Sequence, residues 1–146
     1  MNDWDELYME VILDHNKNPR NKGEIPEHTH SADGHNPLCG DKISIQIVLE
    51  NEIVIDAKFI GSGCAISTAS ASILTDTIKG LKKSEIEKMF KSFHNLVTDK
   101  DSEEYDVGKF AVFEGVKKYP TRIKCATLSW HALIAALEGK KETSTE

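Results

Sequence analysis

The chain has 146 residues, 39% of them hydrophobic, and a formal net charge of −6. That length fits a single domain over residues 1–146 with a real core, ending in a polar tail at about 139–146. The acidic balance argues against broad binding to a nucleic-acid backbone, and no stretch is apolar enough for a bilayer span, so neither nucleic acid nor membrane is an expected partner. Lys117, Lys118, Arg122 and Lys124 could form a local basic patch; a solvated helix edge explains them as well. The opening residues Met1 to Glu6 are acidic and lack the basic and apolar regions of a secretory signal, so a cytoplasmic location is expected. In a reducing compartment, three cysteines serve as free thiols, metal ligands or redox groups rather than as disulfides.

Residues 3–16 read as an amphipathic helix, with Asp3 as N-cap, Glu6 three residues later, and Leu7, Tyr8, Val11 and Ile12 on one face. Pro19 disfavours helical geometry at Asn18 and breaks the helix in Asn18-Pro19-Arg20-Asn21. Residues 24–37 mix His28, His30 and His35 with turn formers and read as irregular or short-strand. The clearest strand signal lies at 42–60. Ile43, Ile45, Ile47 and Leu49 alternate with mostly polar residues, and Ile53, Ile55, Ala57 and Phe59 repeat the pattern beyond a turn at Glu50-Asn51-Glu52.

A helix rich in Ala, Ser and Thr is expected from Ala65 to Lys79, closed by Gly80. Ser84-Glu85-Ile86-Glu87 reads as a capping box opening a helix with Ile86, Met89, Phe90, Phe93, Leu96 and Val97 on one face. Residues 98–106, with Glu103, Glu104 and Asp106, read as a solvated loop rather than a paired acid/base site. Residues 107–119 read as helical, stopped by Pro120, and the last helix runs from about Lys124 to Leu137. Its buried stripe is Ala126, Trp130, Leu133, Ile134 and Leu137. The order of elements implies an α+β fold, a small antiparallel sheet with helices packed on one side.

The cysteines carry the chemistry. Cys39 lies between Pro37 and Gly40, Cys64 follows Gly61-Ser62-Gly63, and Cys125 follows Arg122-Ile123-Lys124. Cys64 and Cys125 fall at expected helix starts, where free N–H groups and the dipole favour thiolate. Brought together by folding, the three would form a thiolate cluster with Asp41 beside it, suited to a soft or borderline metal or to sulfur chemistry. Three separate buried cysteines are the structural alternative.

Four ordered motifs extend the reading. Asn18-Pro19-Arg20-Asn21, Asn36-Pro37-Leu38-Cys39-Gly40-Asp41, Gly61-Ser62-Gly63-Cys64-Ala65-Ile66-Ser67 and Arg122-Ile123-Lys124-Cys125-Ala126-Thr127-Leu128 resemble motifs of the iron–sulfur cluster assembly family that includes IscU and the N-terminal part of NifU. The resemblance runs from about Tyr8 to Leu137. It is nearest to the SufU branch, since the stretch between Cys64 and Cys125 is longer than in IscU-type scaffolds, with the extra segment around residues 98–118. Lys124 also stands where IscU-type proteins have a histidine.

The resemblance implies a SufU/IscU-like fold and a zinc site made by Cys39, Asp41, Cys64 and Cys125. Four such ligands bring about −4 against the +2 of the ion, so the sulfurs stay nucleophilic. It implies sulfur transfer as the function. Cys39 would accept persulfide sulfur from a pyridoxal-phosphate cysteine desulfurase of the SufS type for iron–sulfur cluster biogenesis, a histidine of that enzyme replacing Cys39 on the zinc. Such a protein is a sulfurtransferase acting with its desulfurase rather than an independent metabolic enzyme, and downstream iron–sulfur assembly proteins would be its further partners. Arg122 would steer the incoming persulfide. A scaffold assembling a [2Fe–2S] cluster, or holding iron, on the same cysteines is the alternative. A stand-alone zinc hydrolase or deaminase is remote, because the His-x-Glu and Pro-Cys-x-x-Cys pair of zinc deaminases are absent. His35 reads as a loop histidine and His131 as a helix residue, and His15, His28, His30 and His94 carry no spacing signal.

Overall fold

Ile43, Ile45 and Ile47 line one face of an inner strand of a four-stranded sheet, and all three are fully buried. Each such side chain contributes roughly 1.5–3 kcal/mol by leaving water. The structure, a computed structural model, describes residues 3–37, 40–98 and 107–144. Cys39, the acidic stretch with Glu103, Glu104 and Asp106, and the side chains of Asp3, Glu6 and Leu7 lie outside the described residues.

The elements run α1 (Asp3–Lys17), β1 (His30–Asn36), β2 (Asp41–Glu50), β3 (Ile53–Ser62), α2 (Ala65–Thr77), α3 (Lys83–Thr98), a 3-10 helix (Gly108–Lys118), α4 (Pro120–Leu137) and β4 (Glu142–Ser144). The sheet order is β3-β2-β1-β4. The first three strands are antiparallel, and β4 adds to the edge parallel to β1. The α+β class expected from the element order is the observed one. Among the described residues, no helix is long and apolar enough to cross a membrane.

The β2–β3 hairpin turns at Asn51 and Glu52, with φ of 51° and 66°. Positive φ at both central residues matches the twist of the flanking strands. The expected register holds through Phe59 and Ala57 but slips at the turn. A bulge between Val48 and Leu49 shifts the pairing, so Val54 is buried while Ile55 is 50% exposed. One extra residue on one strand inverts which side chains face the core.

The helical segment expected before Pro120 does end there, at Lys118, but as a 3-10 helix, and Pro120 itself opens α4, where its missing N–H costs nothing, ahead of the expected start at Lys124. The polar tail is not simply frayed, since Glu142 to Ser144 pair with Asp33 to His35. At the start of α3, Glu85 Oε1 accepts the backbone N–H of Lys82 at 3.0 Å, so the cap belongs to Lys82 rather than Ser84.

One face of the sheet packs on α2 and α4. A Cβ on Gly34 would lie 3.1 Å from Leu128 Cδ1 and 3.2 Å from Ala132 Cβ, so the missing side chain lets α4 lie close on β1. The outer helices are joined to α4 by aromatic rings. Phe93 and Phe110 are 4.9 Å apart, Phe110 and Trp130 5.0 Å, and Phe93 stacks on Trp130 at 5.9 Å. This packing leaves the last residues of β1 and β3, the first of β2 and α2, and the second turn of α4 at one end of the sheet.

Candidate metal centre

Asn36 pairs with Asp41 across the β1–β2 turn, and Lys42 pairs with Ser62 at the end of β3. The chain therefore leaves β3 next to Asp41. Gly61 makes this approach possible, because at φ 128° a Cβ would lie 2.1 Å from the Lys42 carbonyl oxygen. Cys64 then stands in extended conformation as the N-cap of α2. Cys125 enters from α4 and is fully buried. It lies in the second turn, not the first, because α4 begins at Pro120; the helix-start argument for its thiolate character applies to Cys64 alone.

The two cysteines and Asp41 come together. One donor atom from each lies within 4.8 Å of the other two, the one such group of three among the described residues. Neither Cys64 nor Cys125 is in a disulfide. Asp41 is 1% exposed, and its carboxylate accepts the Cys64 backbone N–H on Oδ1 at 2.9 Å and the Ser67 hydroxyl on Oδ2 at 2.6 Å. Cys64 Sγ lies 3.8 Å from Asp41 Oδ2 and 3.6 Å from Ser67 Oγ. Asn36 Nδ2 donates to Cys125 Sγ at 3.8 Å, while Asn36 Oδ1 is buried without a partner.

Hydrogen bonding from Cys125 brings the Cys64 thiol down to about 5; burial pushes it up, the Ser67 backbone and hydroxyl pull it down, and the Asp41 charge pushes it up. The balance of these contacts favours the thiolate form of Cys64. Two sulfurs and one carboxylate oxygen, close together and with Asp41 and Cys125 buried and Cys64 half-buried, make the donor set of a borderline divalent ion such as zinc. The residues present fit that ion, since acceptors outnumber donors around the cluster.

Arg122 is exposed, on the first turn of α4, at the edge of a groove of about 640 Å³. Met9, Leu13, Val116 and Tyr119 give the groove its apolar lining, and Ala65 and Ile66 continue it from Cys64. Lys118 also lines the groove, whereas Lys117 pairs with Glu114 at 3.5 Å. His35 is exposed on β1, on the face opposite the buried Gly34 and Asn36. His131 packs edge-on against Phe90.

His15, which carries no spacing signal, is 4% exposed and bonded to Ser72 Oγ at 2.7 Å. The Asn18–Asn21 motif is a structural turn: the Arg20 backbone N–H also donates to Ser72 Oγ, and the Asn21 carbonyl accepts the Phe59 N–H of β3. The close backbone approach that Gly61 and Gly63 suggest beside Cys64 is present, since a Cβ on Gly63 would stand 3.1 Å from Asp41 Oδ1. Sequence reasoning missed Asn36 and Ser67 as parts of the centre; both stand inside the cysteine motifs, where an amide or a small hydroxyl carries no signal of its own.

Known proteins with this arrangement agree. The chain is 48% identical over 130 residues to the zinc-dependent sulfurtransferase SufU of Bacillus subtilis (strain 168), covering 88% of each. It is 37% identical over 133 residues to the iron–sulfur cluster assembly scaffold protein IscU of Streptococcus pyogenes serotype M1, covering 90% of this chain and 83% of that one. Among solved structures, a candidate iron–sulfur cluster assembly scaffold for the SUF system from Fervidobacterium islandicum AW-1 superposes with a TM-score of 0.83 at 35% identity, covering 88% of this chain and 94% of the other. The profile of the NifU-like N terminal domain matches residues 7–126. A thiolate and carboxylate cluster at one end of this α+β sheet, and a sequence match over most of its length, place the chain in the NifU-like N-terminal domain family of iron–sulfur cluster assembly proteins.

Proposed function

We propose that the protein is a zinc-dependent sulfur acceptor, which takes persulfide sulfur from a cysteine desulfurase and hands it on for iron–sulfur cluster biogenesis. The observation that carries this reading is the convergence of Asp41, Cys64 and Cys125 within 4.8 Å. Cys39 stands two positions before Asp41 in the sequence and is the fourth ligand in this reading. A zinc ion bound there holds thiolates in their reactive charge state without redox chemistry of its own. The 48% identity to a zinc-dependent sulfurtransferase supports the assignment.

Each residue has a stated task. Asp41 and Cys125, buried, and Cys64, half-buried, would hold the ion from hydrogen-bonded positions, and Cys39 is the acceptor. Its sulfur attacks the terminal sulfur of the donor's persulfide. A new S–S bond forms on Cys39, the donor's S–S bond breaks, and the donor cysteine leaves as thiolate. The step is thiol–disulfide exchange in form and needs a thiolate with access to its target. Arg122, exposed and close in sequence to Cys125, attracts the anionic persulfide. The donor in this reading is a pyridoxal-phosphate enzyme of the SufS type, and the reducing cytoplasm keeps the thiols unpaired.

The test is mass spectrometry of the protein after turnover with a desulfurase and cysteine. An added sulfur of about 32 Da on Cys39, absent in Cys39→Ala together with stimulation of the desulfurase, is the expected result. Unchanged stimulation in Cys39→Ala overturns the acceptor role. The identity to scaffold proteins favours a second reading, assembly of a [2Fe–2S] cluster on the same cysteines. Metal analysis separates the two: one tightly held zinc per chain supports transfer, and a coloured, oxygen-sensitive cluster passed to apo-proteins supports the scaffold.

A further inference from the structure

We propose that Ser67 is the positioning residue of the centre: its hydroxyl holds the Asp41 carboxylate as a one-oxygen ligand and thereby sets how tightly the ion is kept. The inference rests on the metal-site reading above. Ser67 stands three residues after Cys64, one helical turn into α2, so both side chains come to the same side of the helix. It is fully buried, and its oxygen touches all three donor-bearing residues. It donates to Asp41 Oδ2 at 2.6 Å, lies 3.6 Å from Cys64 Sγ, and sits 3.2 Å from the Cys125 carbonyl oxygen.

A serine hydroxyl has one proton, so Asp41 Oδ2, the Cys125 carbonyl and the Cys64 sulfur compete for it. The shortest contact, to Asp41, carries it. With the Cys64 backbone N–H on Oδ1, both oxygens of the carboxylate are then held, and the group cannot rotate. Oδ2, the oxygen 3.8 Å from Cys64 Sγ, is kept turned toward the sulfur. Alanine would fit the site but would leave Oδ2 without its donor. Gly63 completes the arrangement: a Cβ there would stand 3.0 Å from Ser67 Cβ and 3.1 Å from Asp41 Oδ1, crowding both partners at once.

The experiment compares the full-length chain with Ser67→Ala, Ser67→Thr and Gly63→Ala. Zinc affinity is read by competition with a chromophoric chelator, and ligand geometry by the absorption bands of the Co²⁺-loaded protein. Ser67→Ala is expected to weaken zinc binding about 10–100-fold, the usual cost of removing a hydrogen-bond partner of a ligand. Its Co²⁺ bands shift while the urea midpoint of the metal-free protein stays near wild type. Ser67→Thr keeps the hydroxyl and restores the affinity, and Gly63→Ala, which disturbs the same pair from the other side, weakens binding with serine in place. Wild-type affinity and unshifted bands in Ser67→Ala overturn the role of Ser67 and leave the metal site standing. Equal losses in the Ala and Thr variants that track metal-free stability also overturn it, since they mark a packing role. A wild-type chain that binds no zinc overturns this inference and the proposed function together.

Discussion

Helix α2 carries two buried polar clusters, and they differ in kind. At its first turn, Ser67 meets Asp41, Cys64 and Cys125. Farther along, Ser72 meets His15 and the Arg20 N–H, while Thr75 accepts from Asn21 Nδ2 at 3.4 Å. Both clusters bury titratable groups beside serine hydroxyls. The second is closed: Ser72 and Thr75 hydroxyls and the His15 ring find partners within the protein, and Arg20 answers Asp14 at its edge at 2.7 Å. The first is rich in acceptors, with two sulfurs, a carboxylate and the unpartnered Asn36 Oδ1. A buried titratable group is therefore not in itself a sign of function. The balance of donors against acceptors around it decides whether the fold is satisfied or needs a cation.

The comparison is tested most severely by removing the metal. An ion held at a free concentration 1,000 times its Kd stabilises the folded state by about 4 kcal/mol, so chelation lowers the melting midpoint by several degrees. An unshifted melting curve after verified zinc removal would break the contrast, because both clusters would then be equally self-sufficient. Gly61→Ala probes the backbone that delivers Cys64. The new Cβ meets the Lys42 carbonyl at a residue with φ of 128°, and a loss of about 3 kcal/mol in urea unfolding is expected, with zinc binding impaired.

The closed cluster answers to pH rather than to metal. His15→Ala leaves Ser72 without its ring partner and should cost about 2 kcal/mol, with little change in zinc affinity. Burial, and after it the Arg20 charge, lowers the His15 pKa below the ordinary value of 6.5, with Lys109 acting in the same direction and Asp14 and Asp76 opposing. The unfolded chain thus binds the proton more readily. The stability that neutral His15 contributes is complete above the ordinary value and is lost as pH falls below it towards the lowered folded value. Urea midpoints across this range should fall with pH in wild type and fall less in His15→Ala. The smallest expected change in stability is that of Arg122→Ala, an exposed substitution worth within about 0.5 kcal/mol, although sulfur transfer from the desulfurase should slow. Unchanged transfer kinetics would remove Arg122 from the mechanism.

Much of this was legible from local pattern. The isoleucines of β2 predicted a half-buried strand because a strand presents alternate residues to one face. The cysteine motifs pointed to Asp41, Cys64 and Cys125, which the fold brings together, because sulfurs and a carboxylate set beside glycines and a helix start stand out along a chain. The β3 register failed at Ile55, since a bulge leaves no mark in a run of β-branched residues. Pro120 is ambiguous for a different reason: a proline that follows the end of one helix also suits the first position of the next, and here it does both.

Local chemistry in the chain determined which atoms are capable of binding a metal or reacting, since thiols and a carboxylate have those capacities wherever they stand. What the folded molecule alone decided was the company each keeps. The register of β1 on β2 sets Asn36 opposite Asp41, the passage through Gly61 sets Cys64 beside Asp41, and the depth of α4 brings Cys125 to them. Hydrogen-bond partners such as Ser67 and His15–Ser72 emerge only there, because small polar side chains are ambiguous along a sequence and acquire a role from what is packed against them.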